Sequence, residues 1–216
     1  GEKDIARKII RCVGDADTRF NEDGLRILRA MRFASVLEFE VEEKTADSVI
    51  RNRRLLKNIS VERIYAELTK LILGKGATKI LKQFYPVLSE LFGEIPTENI
   101  EALSICPNDH SVRYAALFSH MSAEEAAGMI RTLKTDNETH RLVKKLVASM
   151  SSEMPNFASE RFEKDVAHLL AQNSFDDLDK IISLREAFCT LSGADTENLK
   201  AFASHASFLR KLLEGM

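Results

Sequence analysis

Asp23 and Arg26 are the residues of this sequence whose types and spacing could do the most specific chemistry. On a helix, residues three apart share a face, so carboxylate and guanidinium would project side by side. A carboxylate accepts hydrogen bonds and a guanidinium donates them. Cytosine and adenine each present an amino group beside an accepting ring nitrogen, which this pair could match. Uracil and guanine present a carbonyl beside an N–H, so both contacts would meet the wrong partner. Good bidentate base contacts discriminate by roughly 1–3 kcal/mol, and a buried polar group left unpaired adds to the penalty. The plainer account of the same spacing is an i,i+3 salt bridge worth a few tenths of a kcal/mol. On spacing alone the plainer account is favoured, and both stay open.

The elements that would position these residues read as helices. Strict period-two runs are absent, and β-branched residues never cluster as a sheet requires. The stretch from Glu22 to Leu37 places Leu25, Leu28, Ala30, Met31, Phe33, Val36 and Leu37 on a broad apolar face, with Arg26, Arg29 and Arg32 on the charged side. Asn21 is its expected cap, with Glu22 and Asp23 in the first turn, where the helix dipole favours acids. Ser60 caps the next clear helix, Ile59 is placed to staple onto Ile64, and Gly74-Lys75-Gly76 stops it. Ser122…Glu125 and Thr135…Glu138 read as capping boxes, and a last helix runs from Gly193 and Asp195-Thr196 to Met216. Phenylalanines 84, 92, 118, 162, 188 and 202 are expected in the core. The fold class is all-α with no sheet, in two modules, 1–94 and 95–216, with a soft boundary near Gly93–Pro96.

Around the Asp–Arg pair the sequence is dense. Arg11-Cys12-Val13-Gly14-Asp15, Arg19-Phe20-Asn21-Glu22-Asp23 and Leu25-Arg26-Ile27-Leu28-Arg29-Ala30-Met31-Arg32-Phe33 together resemble the neck signature of bacterial tRNA nucleotidyltransferases. These are the CCA-adding enzymes of class II and their relatives, the bacterial poly(A) polymerases. Ile59-Ser60-Val61-Glu62-Arg63-Ile64-Tyr65-Ala66-Glu67-Leu68 is similar to the helical motif that follows. The likeness covers about the first 75 residues. It implies a helical neck over 1–94 and an RNA-holding body over 95–216.

The resemblance also implies roles. Asp23 and Arg26 match the pair that reads the base of incoming CTP or ATP, and Glu22 and Arg29 match residues that hold it. Arg63 and Glu67 brace the motif helix, and the segment from Arg11 to Asp15 is an element beside the pocket. Gly24 departs from the family, which has a better helix former there; it either costs the helix stability or leaves space near the base. The resemblance places the chemistry, with its Mg2+ ions on a carboxylate pair, in a head domain before the neck. The Gly1 start reads as that of a cut piece, so no catalytic residue, metal site or transferase activity is expected of this chain alone. Its expected partners are tRNA, CTP and ATP. A poly(A) polymerase, a C-only or A-only adding relative, and a non-catalytic helical RNA-binding module are the alternatives.

Composition narrows the partners further. Net charge is −2, yet residues 1–80 carry 17 Lys/Arg against 13 Asp/Glu and the remainder 14 against 20, so a polyanion would be drawn to the first part. Arg51, Arg53, Arg54 and Lys57 form a basic run that could touch tRNA phosphates or could be a solvated helix end; Lys144 and Lys145 could do the same with less support. No apolar run approaches the ~18–20 residues of a membrane span. Cys12, Cys106 and Cys189 lack metal-ligand spacing and read as free thiols of a cytoplasmic protein. Asp15-Ala16-Asp17 has the form of a metal-binding pair, but is expected in a loop with no sheet around it. The histidines have no ligand spacing.

Overall fold

Apolar residues recurring at helical spacing give helices over most of the chain in this computed structural model, which describes residues 1–156 and 158–214, with side chains described to Lys211. After α1 (Glu2–Ala6) comes β1 (Ile9–Ile10), then α2 (Ala16–Glu22) and α3 (Leu25–Leu37). Strand β2 (Glu40–Val41) leads into α4 (Glu43–Arg51), a 3-10 turn (Arg53–Asn58), α5 (Val61–Ile72), α6 (Ala77–Gln83) and α7 (Tyr85–Phe92). The second half is α8 (Thr97–Ala102), α9 (His110–Phe118), α10 (Ala123–Thr132) and α11 (Asn137–Met150). It ends with α12 (Phe162–Gln172), α13 (Phe175–Ser192) and α14 (Glu197–Glu214). The expected end at Met216 lies outside the described residues.

The all-helical reading holds, with one correction to the absence of sheet. β1 and β2 pair in parallel, Ile9 opposite Glu40 and Ile10 opposite Val41. Two residues per strand are too few for a sequence period to show. The pair ties the chain before α2 to the chain after α3.

Where the expected helix from Glu22 to Leu37 should run unbroken, the structure has two helices. Asp15 caps α2, its carboxylate accepting from the Thr18 amide at 2.8 Å, so the Asp15-Ala16-Asp17 segment is a helix start and not a loop. Asn21 is inside α2 and donates to the Asp17 carbonyl instead of capping α3. Asp23 has extended backbone, φ −153° and ψ 104°, and separates the two. The buried face of α3 is also rotated from the expected one. Leu25, Ile27, Leu28, Met31, Ala34 and Ser35 are buried, whereas Phe33, Val36 and Leu37 are exposed. Among smaller corrections, Ser60 sits at the N-cap of α5 without its side chain accepting a helix amide. Asp136, not Thr135, caps α11, accepting from the Thr139 amide. The Ser122–Glu125 capping box forms as read, and five of the six expected core phenylalanines are buried, Phe188 partly.

α3 crosses the end of α5 at close range. Ser35 Oγ donates to the Leu71 carbonyl at 2.7 Å, and the Gly76 amide donates to the Ser35 carbonyl at 2.9 Å. A Cβ on Gly74 would stand 2.8 Å from the Ser35 carbonyl carbon and 2.9 Å from the Val36 nitrogen. The Gly-Lys-Gly stop is therefore a packing requirement as well as a helix end. From the other side Arg113 of α9, nearly buried, donates to the Ile72 carbonyl at 2.5 Å and to the Pro107 carbonyl at 3.0 Å. The last carbonyls of α5, which a helix leaves unpaired, are thus partly satisfied by side chains from both neighbours. The apolar core passes through this junction without interruption, from Phe20 to Phe202, across the turn at Gly93–Pro96.

Gly74→Ala is expected to destabilise the fold by about 1–3 kcal/mol, the usual cost of forcing a methyl into a packed contact. Gly128, exposed in the middle of α10 with open space around it, supplies the contrast: Gly128→Ala should stabilise by about 0.5–1 kcal/mol. Denaturant unfolding of both variants checks this; equal effects would remove the argument for the crossing.

Candidate functional site

The break between α2 and α3 decides what the Asp–Arg pair does. Because Asp23 lies outside α3, it and Arg26 do not face one another as an i,i+3 salt bridge. Each is anchored separately. Asp23 Oδ1 accepts from the Leu25 amide at 3.1 Å, and Arg63 of α5 donates to Oδ2 at 2.9 Å. Arg26 Nη1 donates to Glu22 Oε2 at 2.6 Å and to the Arg19 carbonyl at 3.0 Å. The same Glu22 oxygen accepts from Arg19 at 2.7 Å. Partial burial pushes the Asp23 carboxyl up, but the Leu25 amide and the Arg63 guanidinium outweigh it and hold the carboxyl below the ordinary aspartate value. Glu22 is held down chiefly by its hydrogen bond from Arg26.

Gly24, one of the residues of the break, is buried. A Cβ there would lie 3.0 Å from both the Cβ and the carbonyl oxygen of Leu55. Of the two accounts of this glycine, space for a ligand is not what the structure shows; the start of α3 is pressed onto the 3-10 turn.

A cavity of about 340 Å³ opens beside α3, with Arg11, Arg26, Arg29, Phe20, Ala30 and Phe33 among its lining residues. Arg26 and Arg29 are brought together here as sequence spacing suggested. Glu22 acts behind Arg26, and Asp23 lies toward Arg63, outside the lining. Spacing missed Phe33, while Arg11 belongs to the segment that the resemblance put beside the pocket. Arg11 comes from β1's continuation and is fixed by Glu42 at 2.9 Å and Asp4 at 3.3 Å. Phe33 was legible in principle, since Arg26, Arg29, Ala30 and Phe33 stand at i, i+3, i+4 and i+7. Glu67, expected to brace the motif helix, reaches Arg32 on its far side at 3.0 Å.

The other candidates are engaged elsewhere. Asp17 accepts from Ser48 and Asn52, both at 2.5 Å, and from Arg51 at 2.9 Å, so its carboxylate knits α2 to α4. Of the basic run, Arg51 is spent on Asp17, while Lys57 reaches Glu90 of α7 at 2.7 Å and Arg53 the same carboxylate at 3.6 Å. Arg54 is exposed. Lys144 pairs with Glu124 at 2.7 Å, and Lys145 with the buried Asp177 at 2.7 Å. Among the described residues no group of three or more His, Cys, Asp or Glu side chains is placed to hold a metal ion, the cysteines are unpaired, and no helix is long and apolar enough to cross a membrane.

Residues 38–86 match a family model described as the probable RNA and SrmB-binding site of polymerase A. A CCA-adding enzyme of Lactobacillus delbrueckii subsp. bulgaricus is 38% identical over 157 residues, 69% of this chain and 40% of the relative. One from Streptococcus pyogenes serotype M5 is 31% identical over 202 residues, 85% of this chain and 50% of the relative. The chain thus spans about half the length, or less, of the curated relatives it matches. Among solved structures, the Bacillus stearothermophilus CCA-adding enzyme in complex with CTP shares the fold with a TM-score of 0.70 at 24% identity, over 96% of this chain and 51% of that one. A tRNA nucleotidyltransferase complexed with a primer tRNA and an incoming ATP analog does so with a TM-score of 0.73 at 18% identity, over 98% of this chain and 64% of that one.

If Arg63 helps set the ionisation of Asp23, Arg63→Met should raise the Asp23 carboxyl toward the ordinary aspartate value. Carbon-detected NMR titration of the carboxyl reads this directly. An unmoved titration would leave the Leu25 amide as the group that matters.

Proposed function

This chain is a homologue of the CCA-adding enzymes over part of their length, and from that premise we propose that it is the base-reading and RNA-holding part of a tRNA nucleotidyltransferase. In this reading Asp23 and Arg26 recognise the base of incoming CTP or ATP, with Glu22 and Arg29 in support. The observation that carries it is the independent anchoring of the two readers. Arg26 is held through Nη1 alone, by Glu22 and the Arg19 carbonyl, so its Nε and Nη2 remain available to a ring nitrogen. Asp23 has given two contacts, and a carboxylate has about four acceptor positions, which leaves room for an exocyclic amino group. Both readers sit on backbone fixed by neighbouring elements, so little ordering is left for the ligand to bring about.

The phosphoryl transfer itself is assigned to a domain encoded outside these 216 residues, where Mg2+ on paired carboxylates would stabilise the developing charge. The chain alone is expected to hold nucleotide and tRNA without adding residues. The match of residues 38–86 to an RNA-binding model favours RNA contact along this region, where Arg54 is an exposed cation of the basic run. The same match keeps a second reading in play, a helical RNA-binding module in which the Asp–Arg pair has no part.

Joined to its catalytic domain, the protein with Arg26→Ala should lose C and A addition to tRNA lacking its 3′ end by roughly 10–100-fold, the size of one good base contact. Choice among the four nucleotides should relax with it. Addition and selectivity equal to the parent, for this variant and for Asp23→Ala, would leave the RNA-binding module as the reading.

A further inference from the structure

Phe33 stands at the end of the stripe that Arg26, Arg29 and Ala30 form along α3, and all four line one cavity. Phe33 is 39% exposed as a residue, although its helix neighbours Met31 and Ala34 are buried at 1% each. An aromatic left open on a helix that buries so much of its surface calls for an account. The ring is not loose. The Arg32 guanidinium carbon lies 4.1 Å from its centroid, and Arg32 Nε is held 3.0 Å from Glu67 Oε2 of α5, both side chains largely buried. A cation over a ring face is favourable, and here the cation lies within ion-pair distance of a carboxylate on a second helix, although the two facing atoms are not aligned for a hydrogen bond. The ring thus has a backing that sets its orientation, and its exposed area borders the cavity.

The cavity's remaining chemistry says what the ring would meet. Arg11, Arg26 and Arg29 bring three guanidiniums to a wall whose other residues are mostly apolar, Phe20, Ala30 and Phe33 among them, with Thr45 the polar exception. Arg26 is the reader of the base edge in the reading above, Arg11 is already held by Glu42 and Asp4, and Arg29 is the guanidinium left to meet a phosphate oxygen; an aromatic face stacks any nucleobase, since every base has a π-face. A nucleoside triphosphate supplies both in one molecule.

We propose that Phe33 is the stacking platform for the base of the nucleoside triphosphate bound in this cavity, with Arg32 and Glu67 positioning its ring. The inference rests on the nucleotide-binding reading above, but its failure is separable: stacking tolerates every base, whereas the Asp23 and Arg26 contacts choose among them.

The sequence contains no tryptophan, so Phe33→Trp introduces a single fluorophore at the proposed contact. CTP, ATP, UTP and GTP titrated into this variant are expected to quench its emission, and inorganic triphosphate to leave it unchanged. Calorimetry on Phe33→Ala should show all four nucleotides weakened by roughly tenfold, with the ratios between them kept and with Phe33→Tyr close to the parent. Glu67→Gln, which loosens Arg32, should reduce the quench in the Phe33→Trp background. If Arg26→Ala leaves the quench intact and the nucleotide ratios unmoved, base selection fails while stacking stands. Absence of quenching by any nucleotide, equal quenching by triphosphate, quenching only by a short RNA oligonucleotide, or full affinity in Phe33→Ala overturns the proposal.

Discussion

The close crossing of α3 over the C-terminal end of α5 is the constraint on which the site depends. Carbonyl groups at a helix end must find donors, and burying them unpaired would cost about 1–3 kcal/mol each. Here Ser35 and Arg113 supply donors to Leu71 and Ile72, and Gly74 has no side chain to keep α3 away. With the two helices locked at that end, Arg63 and Glu67 fall opposite Asp23 and Arg32. The ion pairs along the interface are consequences of the crossing more than causes of it. Partly exposed pairs of this kind contribute little to stability, so their value is geometric.

A second constraint is the break at Asp23–Gly24. A continuous helix would have pointed Asp23 and Arg26 the same way, and an adjacent carboxylate and guanidinium would then tend to neutralise one another. Extended backbone at Asp23 turns its carboxylate to α5, while Glu22, still in α2, takes up Arg26. Asp23 and Arg26 each have a different partner, and neither is spent on the other. The glycine permits this by letting the start of α3 sit against Leu55.

How much of this was legible follows from which interactions are local. Helix type and the capping box at Ser122 depend on residues a few places apart, and periodicity finds them. At the break Gly24 packs against Leu55, some thirty positions downstream, and the exposure of Phe33 depends on which distant elements cover α3; no window of sequence holds those facts. The two-residue strands are fixed by a pairing between Ile9–Ile10 and Glu40–Val41 across two helices. The Asp–Arg pair was found by residue type, but its geometry was misjudged because an i,i+3 spacing assumes one helix. Arg63, read as a brace, reaches Asp23 because Ser60 and Gly74 define both ends of a helix that lies under it.

Charge counts mislead for a related reason. The excess of cations in residues 1–80 suggests a broad attractive surface, yet Arg51, Arg53 and Lys57 are directed onto Asp17 and Glu90, where they fasten α2, α4, α7 and the 3-10 turn to one another. A guanidinium already facing a carboxylate offers a distant phosphate only a dipole, which weakens faster with distance than a charge and is further screened by salt. Of the three arginines at the cavity, Arg11 and Arg26 are also ion-paired. Those pairs aim the side chains, so what they present to the cavity is the direction of the remaining N–H donors more than net charge. In the proposed reading such a site would discriminate by hydrogen-bond pattern, the property in which cytosine and adenine differ from uracil and guanine.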